Sequence, residues 1–393
     1  MYKKKICVFI AVIMCIITVT GCGQKTEENS GEIEIENLEK RDTEISSQLT
    51  YHNSLDLEYA KRFAVDYYDD GYTMLSLADG SRMLLIPEGG KVPKDLKEGI
   101  TVLKRPVNQT YLVATAVMDM FCELDALDHI RFSGQKADGW HMEEAKEAME
   151  SGDILYAGKY NMPDYELILS EGCDLAIENT MISHSPEVIE KLEEFEIPVM
   201  IDYSSYETNP LGRVEWIKFY GALLGKEKEA LKAFKEQEDI LERVKKEKST
   251  GKTVAFFYIT TNGTVNVRKS SDYVPQMIEL AGGTYIFENL GSDEDKKSSV
   301  NMTMEEFYAK AKDADYLIYN STIDGEMKTI EELLNKSEML RDFKAVKEDN
   351  TWCTTSDLYQ QLMSTGDFIE DLHNMLLDEL DRQTKMKFIY QLQ

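Results

Sequence analysis

The chain has 393 residues, with 44 Lys+Arg against 72 Asp+Glu, a formal net charge of −28, 42% apolar residues and 10% aromatic ones. That length suits two or three units of ordinary size, and the apolar content suffices for packed cores, which excludes wholesale disorder. The acidic balance argues against a nucleic-acid or anionic-membrane surface, since both need a basic footprint.

The chain starts with a basic cluster, Lys3, Lys4 and Lys5, followed by residues 6–19 without a single charge. As a helix those residues would span about 21 Å, short of the ~30 Å hydrocarbon core, so the segment reads as a secretory signal and not as a transmembrane anchor. It ends in Val19-Thr20-Gly21-Cys22. This resembles the lipobox of bacterial lipoproteins, which implies cleavage after residue 21 and a lipid on Cys22, hence extracytoplasmic tethering to the membrane without a spanning helix. Cys122, Cys173 and Cys353 remain, with no CxxC spacing and no tetrahedral zinc set; a Cys122–Cys173 bridge stays open. Residues 22–50 are polar and Glu-rich and read as a flexible acidic tether.

Within residues 51–104, apolar β-favouring runs alternate with the turns Asp69-Asp70-Gly71 and Ala78-Asp79-Gly80. That pattern predicts a β-hairpin region of two or three strands, which must pack on the rest of the chain because a small meander alone is marginal. From 105 to 211, strand-like runs near Tyr111, Ile130, Leu175 and Ile197 alternate with helical spacing near Val117, Glu166 and Val188. From 250 to 393 the alternation returns, with strands at 253–259, 316–319 and around Trp352, and helices at 273–281, 304–312, 330–335 and from 367 to about 386. Strands alternating with helices imply parallel sheets. Between the halves, residues 212–249 are rich in helix formers, and 226–248 would extend about 34 Å as one helix. The expected fold is therefore α/β: two Rossmann-like lobes joined by a single long helix, with a cleft at the carboxyl ends of their strands.

Short signatures recur in a recognisable order. They include Leu124-Asp125-Ala126-Leu127 before Ile130, Asp164-Tyr165-Glu166-Leu167, Glu196-Ile197-Pro198-Val199 and Leu223-Leu224-Gly225-Lys226. Glu279-Leu280-Ala281-Gly282-Gly283, Thr303-Met304-Glu305-Glu306-Phe307, Ala314-Asp315-Tyr316-Leu317-Ile318 and Ala345-Val346-Lys347 come after them. Over residues 105–380 this order resembles the substrate-binding proteins of ABC transporters that handle iron complexes (siderophore or haem) and vitamin B12. Asp125 and Glu196 stand where that family usually has Gly, and Gly172-Cys173 replaces Lys-Pro. The resemblance implies a monomeric solute-binding lipoprotein that performs no chemistry, closes on a siderophore, haem or cobalamin-like corrinoid, and delivers it to a permease and its ATPase. It implies no resident cofactor, the guest itself carrying iron or cobalt.

Asp164 and Thr303 are natural N-caps, which puts Glu166 and Glu305 at the second position of a helix in each half; Thr303 with Glu306 fits a capping box. Such carboxylates are favoured by the helix dipole yet exposed. The resemblance implies that Glu166 and Glu305 dock on the permease, one per lobe. By the same resemblance, guest contacts come from loops after the strands: Lys136, Trp140, Lys159, Tyr160, Asn179 and Tyr203 in the first half, and Tyr258, Arg268, Asn320 and Tyr359, the last beside Gln360, in the second. Tyr and Trp offer rigid faces with a polar tip, and Lys and Arg can neutralise acidic groups. The five His form no HExxH or other short metal motif. No GxSxG elbow, P-loop, GxGxxG or metalloprotease motif occurs, which lowers the alternative of a surface-anchored hydrolase; a ligand sensor on the same scaffold is the other alternative.

Overall fold

The structure, a computed structural model, describes residues 38–287, 289–290, 298–377 and 385–393. The signal segment and Cys22 lie outside the described residues. Among the described residues no helix is long and apolar enough to cross a membrane, and Cys122, Cys173 and Cys353 are free thiols.

Strands β1 (Tyr51–Ser54), β2 (Phe63–Tyr68), β3 (Thr73–Leu77) and β4 (Arg82–Ile86) pair antiparallel in order, and β5 (Ile100–Lys104) joins β4 in parallel. The Asp-Gly turns carry the left-handed backbone they require, with Asp70, Gly71 and Gly80 at φ 55, 81 and 86°. The sheet is larger than the expected meander because β1 and β5 are short, mixed-polarity edge strands with little apolar alternation. Both of its faces are covered. Tyr68, Met74 and Leu84 pack under Ile45, which is fully buried. Arg41 donates Nε to Asp66 Oδ2 at 2.7 Å and a second N–H to Oδ1, and Tyr68 Oη donates to Thr43 O at 2.8 Å. The tether expected over residues 22–50 is thus corrected from Leu38 onward: one isoleucine and one buried ion pair dock an otherwise polar segment.

The first lobe runs β6 (Thr110–Leu112), α1 (Thr115–Glu123), β7 (Ile130–Ser133), α2 (Glu143–Ser151), β8 (Leu155–Tyr156), the small hairpin β9 (Gly158–Lys159) and β10 (Met162–Pro163), α3 (Tyr165–Glu171), β11 (Leu175–Asn179), α4 (Pro186–Glu194) and β12 (Val199–Asp202). Its sheet is wholly parallel in the order β12-β11-β6-β7-β8. The winding direction reverses between β6 and β11, which opens a crevice at their carboxyl ends. Asp125 and Glu196, at the two glycine positions of the resembled pattern, hold φ of 49 and 61°. The turns keep their geometry and the side chains bear its cost.

Helix α5 (Pro210–Leu224) ends at Gly225, whose φ of 73° turns the chain into α6 (Glu227–Val244). The helix expected over 226–248 is α6, shorter than its composition suggests, and α5 packs back against it. A Cβ on Gly221 would stand 2.5 Å from Ala230 Cβ. The bridge between the lobes is accordingly a pair of helices and not a single rod. Most of α5 is buried around its whole circumference, as befits a helix inside a core.

The second lobe runs β13 (Thr253–Ile259), β14 (Val265–Arg268), α7 (Tyr273–Leu280), β15 (Thr284–Tyr285), β16 (Ser299–Met302), α8 (Met304–Ala311), β17 (Tyr316–Tyr319), α9 (Ile330–Lys336), α10 (Lys344–Lys347), β18 (Thr351–Thr354), α11 (Thr365–Leu376) and β19 (Ile389–Gln391). β13, β17 and β18 are parallel, with β15 beside β13, while β14, β16 and β19 add antiparallel edges. The last helix, expected to about residue 386, ends at Leu376, and the chain returns as β19.

Two buried glutamates fasten the N-terminal sheet to this body. Glu215 of α5, with no solvent exposure, accepts the backbone N–H groups of Glu58, Tyr59 and Ala60 at 2.9, 2.8 and 2.7 Å and the Lys218 ammonium at 2.7 Å. Glu207 accepts those of Lys61 and Arg62, both at 2.8 Å. Phe63 then packs edge-on to Trp216 and Phe219, with centroids 4.9 and 5.3 Å away. A third buried acid is different. Glu178 of β11 has no hydrogen-bond partner for either carboxyl oxygen among the described residues, and burial pushes its pKa up to about 8.

Both kinds of buried acid should be visible in stability. Glu215→Ala strands the buried Lys218 ammonium and three N–H groups, and urea unfolding should show a loss of about 3 kcal/mol or more; a loss within error would contradict the anchoring role. For Glu178 the folded pKa lies above the usual glutamate value of 4.5, so the unfolded chain sheds its proton first. Stability should therefore fall as pH rises from the unfolded toward the folded pKa and level off above it. Glu178→Gln should stabilise by about 2 kcal/mol or more near pH ~8.5 and by almost nothing near pH ~4, and a gain independent of pH would rule out the proton as its cause.

Candidate functional site

The chemistry-bearing side chains of the second lobe converge at the carboxyl ends of β17 and β18. Asn320 follows β17 and is buried, its amide oxygen accepting from Thr322. Its Nδ2 donates to Tyr359 Oη at 3.3 Å, and Arg268, from the end of β14, donates to the same oxygen at 2.5 Å. Burial works against the Arg268 charge, but Tyr359 and Asp272, whose carboxylate lies 3.7 Å away, more than offset it and raise its pKa. Asp272 also caps α7 through Val274 N–H at 3.1 Å. Arg268, Asn320 and Tyr359, singled out from sequence, are thus one bonded cluster.

A second arginine, not singled out, completes it. Arg213 on the first turn of α5 lies over the ring of Tyr273, 3.5 Å from its centroid, and Tyr273 in turn sits 6.3 Å from the Tyr359 ring. Burial lowers the pKa of Arg213, with Arg268 adding repulsion, while burial raises that of Tyr273. Asp272 attracts both guanidinium groups, and the buried Asp202 carboxyl also lies near Arg213. A cavity of about 50 Å³ opens beside Arg213 and the two tyrosines, lined among others by Ala116, Ser204, Arg213, Tyr273, Tyr359 and Thr365. Arg213 escaped notice because it sits inside a helix that reads as a connector; the preceding Asn209-Pro210, an N-cap with Pro at the first turn, was the available signal that a helix begins beside the loop.

The two lobes meet at this place. The Gln360 side-chain amide donates Nε2 to Gly139 O and accepts the His141 N–H, both at 2.9 Å, spanning the loop after β7 and the segment after β18. Nearby, the Met363 N–H donates to Asp119 Oδ2 of α1 at 2.6 Å; burial pushes Asp119 up to about 7, the Met363 bond working the other way. Lys136, exposed, adjoins this loop with its ammonium 5.6 Å from the Tyr156 ring.

The other first-lobe residues are placed differently. Trp140 is buried in the lobe core, its indole N–H donating to Ser133 at 3.2 Å, so packing holds it rather than the cleft. Tyr203 is also buried and donates to Asp79 of the N-terminal sheet at 3.1 Å. Asn179 ends β11 at the winding reversal, capping Met181 N–H at 2.9 Å and reaching Val113 O at 3.4 Å. Lys159 is exposed in the small hairpin, with half-buried Tyr160 packed on the lobe core below it. Tyr258 is half-buried in β13, opposite Asn266. These side chains are not joined to the two-arginine cluster by any described bond.

Glu166 and Glu305 occupy the second positions of α3 and α8, behind the side-chain caps Asp164 and Thr303, the latter in a full capping box with Glu306. Both are exposed and make no ion pair among the described residues. No group of three or more His, Cys, Asp or Glu poised for a metal exists among the described residues.

The comparisons with known proteins agree with this architecture. The family described as periplasmic binding protein matches residues 114–358. Two uncharacterised lipoproteins of Methanocaldococcus jannaschii are 26% and 25% identical, over 98% and 96% of this chain and 96% of each of them. A periplasmic haem binding protein of Vibrio cholerae superposes with a TM-score of 0.55 at 15% identity, covering 67% of this chain and 97% of that one. An ABC-type Fe3+-hydroxamate transport system structure from Saccharomonospora viridis gives 0.53 at 17%, covering 69% and 93%. A TroA-like periplasmic binding protein from Veillonella parvula gives 0.55 at 15%, covering 74% and 96%. With its two α/β lobes, crossed by a helix pair and meeting over a cleft, this chain belongs to the periplasmic binding protein family.

Proposed function

We propose that this chain is a lipid-anchored receptor, tethered through Cys22, that captures an acidic iron complex or a corrinoid between its lobes and delivers it to an ABC importer. The observation that carries the reading is the pair of arginines beside two tyrosine rings: Arg213, which lines the interlobe cavity and stacks on Tyr273, and Arg268, which bonds Tyr359 on the cavity wall. A guanidinium fork binds carboxylates and hydroxamate or catecholate oxygens, and its stacking on tyrosine leaves the fork pre-oriented. Tyr359 and Tyr273 add flat faces suited to a large ring system. Two fold neighbours, described as a haem binding protein and an Fe3+-hydroxamate transport system, carry guests of this chemistry. Closure of the lobes would be secured by the Gln360 clasp and the Asp119–Met363 bond, and Glu166 and Glu305 would present one carboxylate per lobe to basic groups of a permease, steering and orienting the encounter.

Intrinsic-fluorescence titration against hemin, a ferric hydroxamate, a ferric catecholate and cobalamin should reveal one saturable guest, and silence across the panel would remove the reading. Arg268→Ala should weaken an acidic guest about tenfold or more, through loss of a charged hydrogen bond; unchanged affinity would take Arg268 out of the site. Changing Glu166 and Glu305 together to Ala should abolish uptake by cells while leaving the guest's affinity nearly intact. Normal uptake by that double variant would defeat the docking role.

A further inference from the structure

Residues 203–207, which come directly after β12, are held from two sides. On the cleft side their carbonyls aim Arg213: its Nε donates to Glu207 O at 3.0 Å, and a terminal N–H donates to Ser205 O. These bonds use two of the five guanidinium donors and leave the others for a guest. On the opposite side the segment is gripped by the N-terminal sheet. Glu207 Oε1 accepts the Lys61 and Arg62 N–H groups at 2.8 Å each, and the Trp216 indole N–H at 3.3 Å. Tyr203 donates to Asp79, at the β3–β4 turn, at 3.1 Å, and the Arg62 guanidinium lies 5.9 Å from the Tyr206 ring. Glu207 is the junction: its side chain belongs to the sheet and its carbonyl to Arg213. The family match begins at residue 114, beyond the sheet, whereas the Methanocaldococcus relatives align across nearly the whole chain.

We infer that the N-terminal sheet is a specificity element of the cleft: through Glu207 and Tyr203 it fixes the segment whose carbonyls orient Arg213, and thereby sets how strongly an acidic guest is held. Glu207 is on this account a positioning residue. The inference rests on the reading of Arg213 as part of the guest site. The physical basis is that a guanidinium on a long side chain is selective only when its supporting shell is rigid. The main-chain acceptors at 205 and 207 are rigid because the sheet supplies partners on their far side.

The test reads Arg213 directly as well as through a guest. In the full chain labelled with 15N-arginine, the Arg213 Nε–H signal, identified by its disappearance in Arg213→Ala, should exchange slowly with solvent. Asp79→Ala and Glu207→Ala should each accelerate that exchange about tenfold, without a change in circular dichroism. Glu207→Gln keeps an oxygen acceptor for Lys61 and Arg62 and should restore most of the protection. Titration with hemin should show the largest loss of affinity in Arg213→Ala and a smaller one in Asp79→Ala and Glu207→Ala. If Glu207→Ala does not fold, Asp79→Ala, at a surface turn, carries the comparison. Unchanged Arg213 exchange in the sheet-side variants overturns the inference whatever hemin does. Exchange that responds while Arg213→Ala leaves hemin binding untouched, or while hemin does not bind, instead overturns the assignment of Arg213 to an acidic guest.

Discussion

Five consecutive main-chain N–H groups, from Glu58 to Arg62, point at two buried carboxylates, and much of the architecture is arranged around that contact. A buried carboxylate is costly unless its lone pairs are filled, and a run of unpaired N–H groups is equally costly. Each solves the other's problem. Glu215 takes three of the five and is further neutralised by Lys218, whose ammonium also lies 4.1 Å from the centre of the Phe234 ring. With the sheet docked, α5 is enclosed: Phe63 lies over Trp216 and Phe219, and Gly212 is so near Tyr59 that an added Cβ would stand 3.1 Å from its carbonyl oxygen. The helix that bridges two lobes in this fold thereby becomes a core helix shared with a third unit.

That enclosure places the site. Because Asn209 and Pro210 start α5 directly after the loop that leaves β12, Arg213 falls on the first turn, at the boundary between the lobes. The second lobe contributes its groups from the carboxyl ends of β17 and β18, where a parallel sheet leaves its loops free to vary. The opposing lobe supplies backbone atoms of residues 139 and 141 to the Gln360 amide. The cavity is therefore bounded by one shared helix and by loops of both lobes, a setting in which small rigid-body motions change the spacing of its charges.

Much of this was legible in the residues. The α/β alternation, the cap residues that begin α3 and α8, and the choice of Arg268, Asn320 and Tyr359 as separate loop candidates come from local pattern or from resemblance, because strand ends and helix starts carry their own chemical marks; that the three bond to one another was not in the pattern. What escaped was set by partners far apart in sequence. Nothing near Ile45 or Arg41 reveals that the sheet needs a second cover, and nothing near Trp140 shows that Ser133 and the lobe core will claim it. Tyr203 looked like a cleft residue because it follows a strand; its hydroxyl found Asp79, 124 residues earlier. Arg213 was hidden because an arginine in a helix that reads as a connector carries no local sign of stacking on a ring from another lobe.

The overall charge sharpens what the two arginines must do. A chain with net charge −28 repels an acidic guest at long range. At physiological salt, though, surface charges are screened beyond about 8 Å, so the guest meets mainly the field of the cleft itself. There two guanidinium groups share the Asp272 carboxylate, with the buried Asp202 carboxyl also near Arg213, in surroundings dry enough to lower the pKa of Arg213. Low polarity strengthens their pull on an acidic group while penalising their closeness to each other. On the proposed reading, an acidic guest would offset the repulsion that Arg268 adds at Arg213.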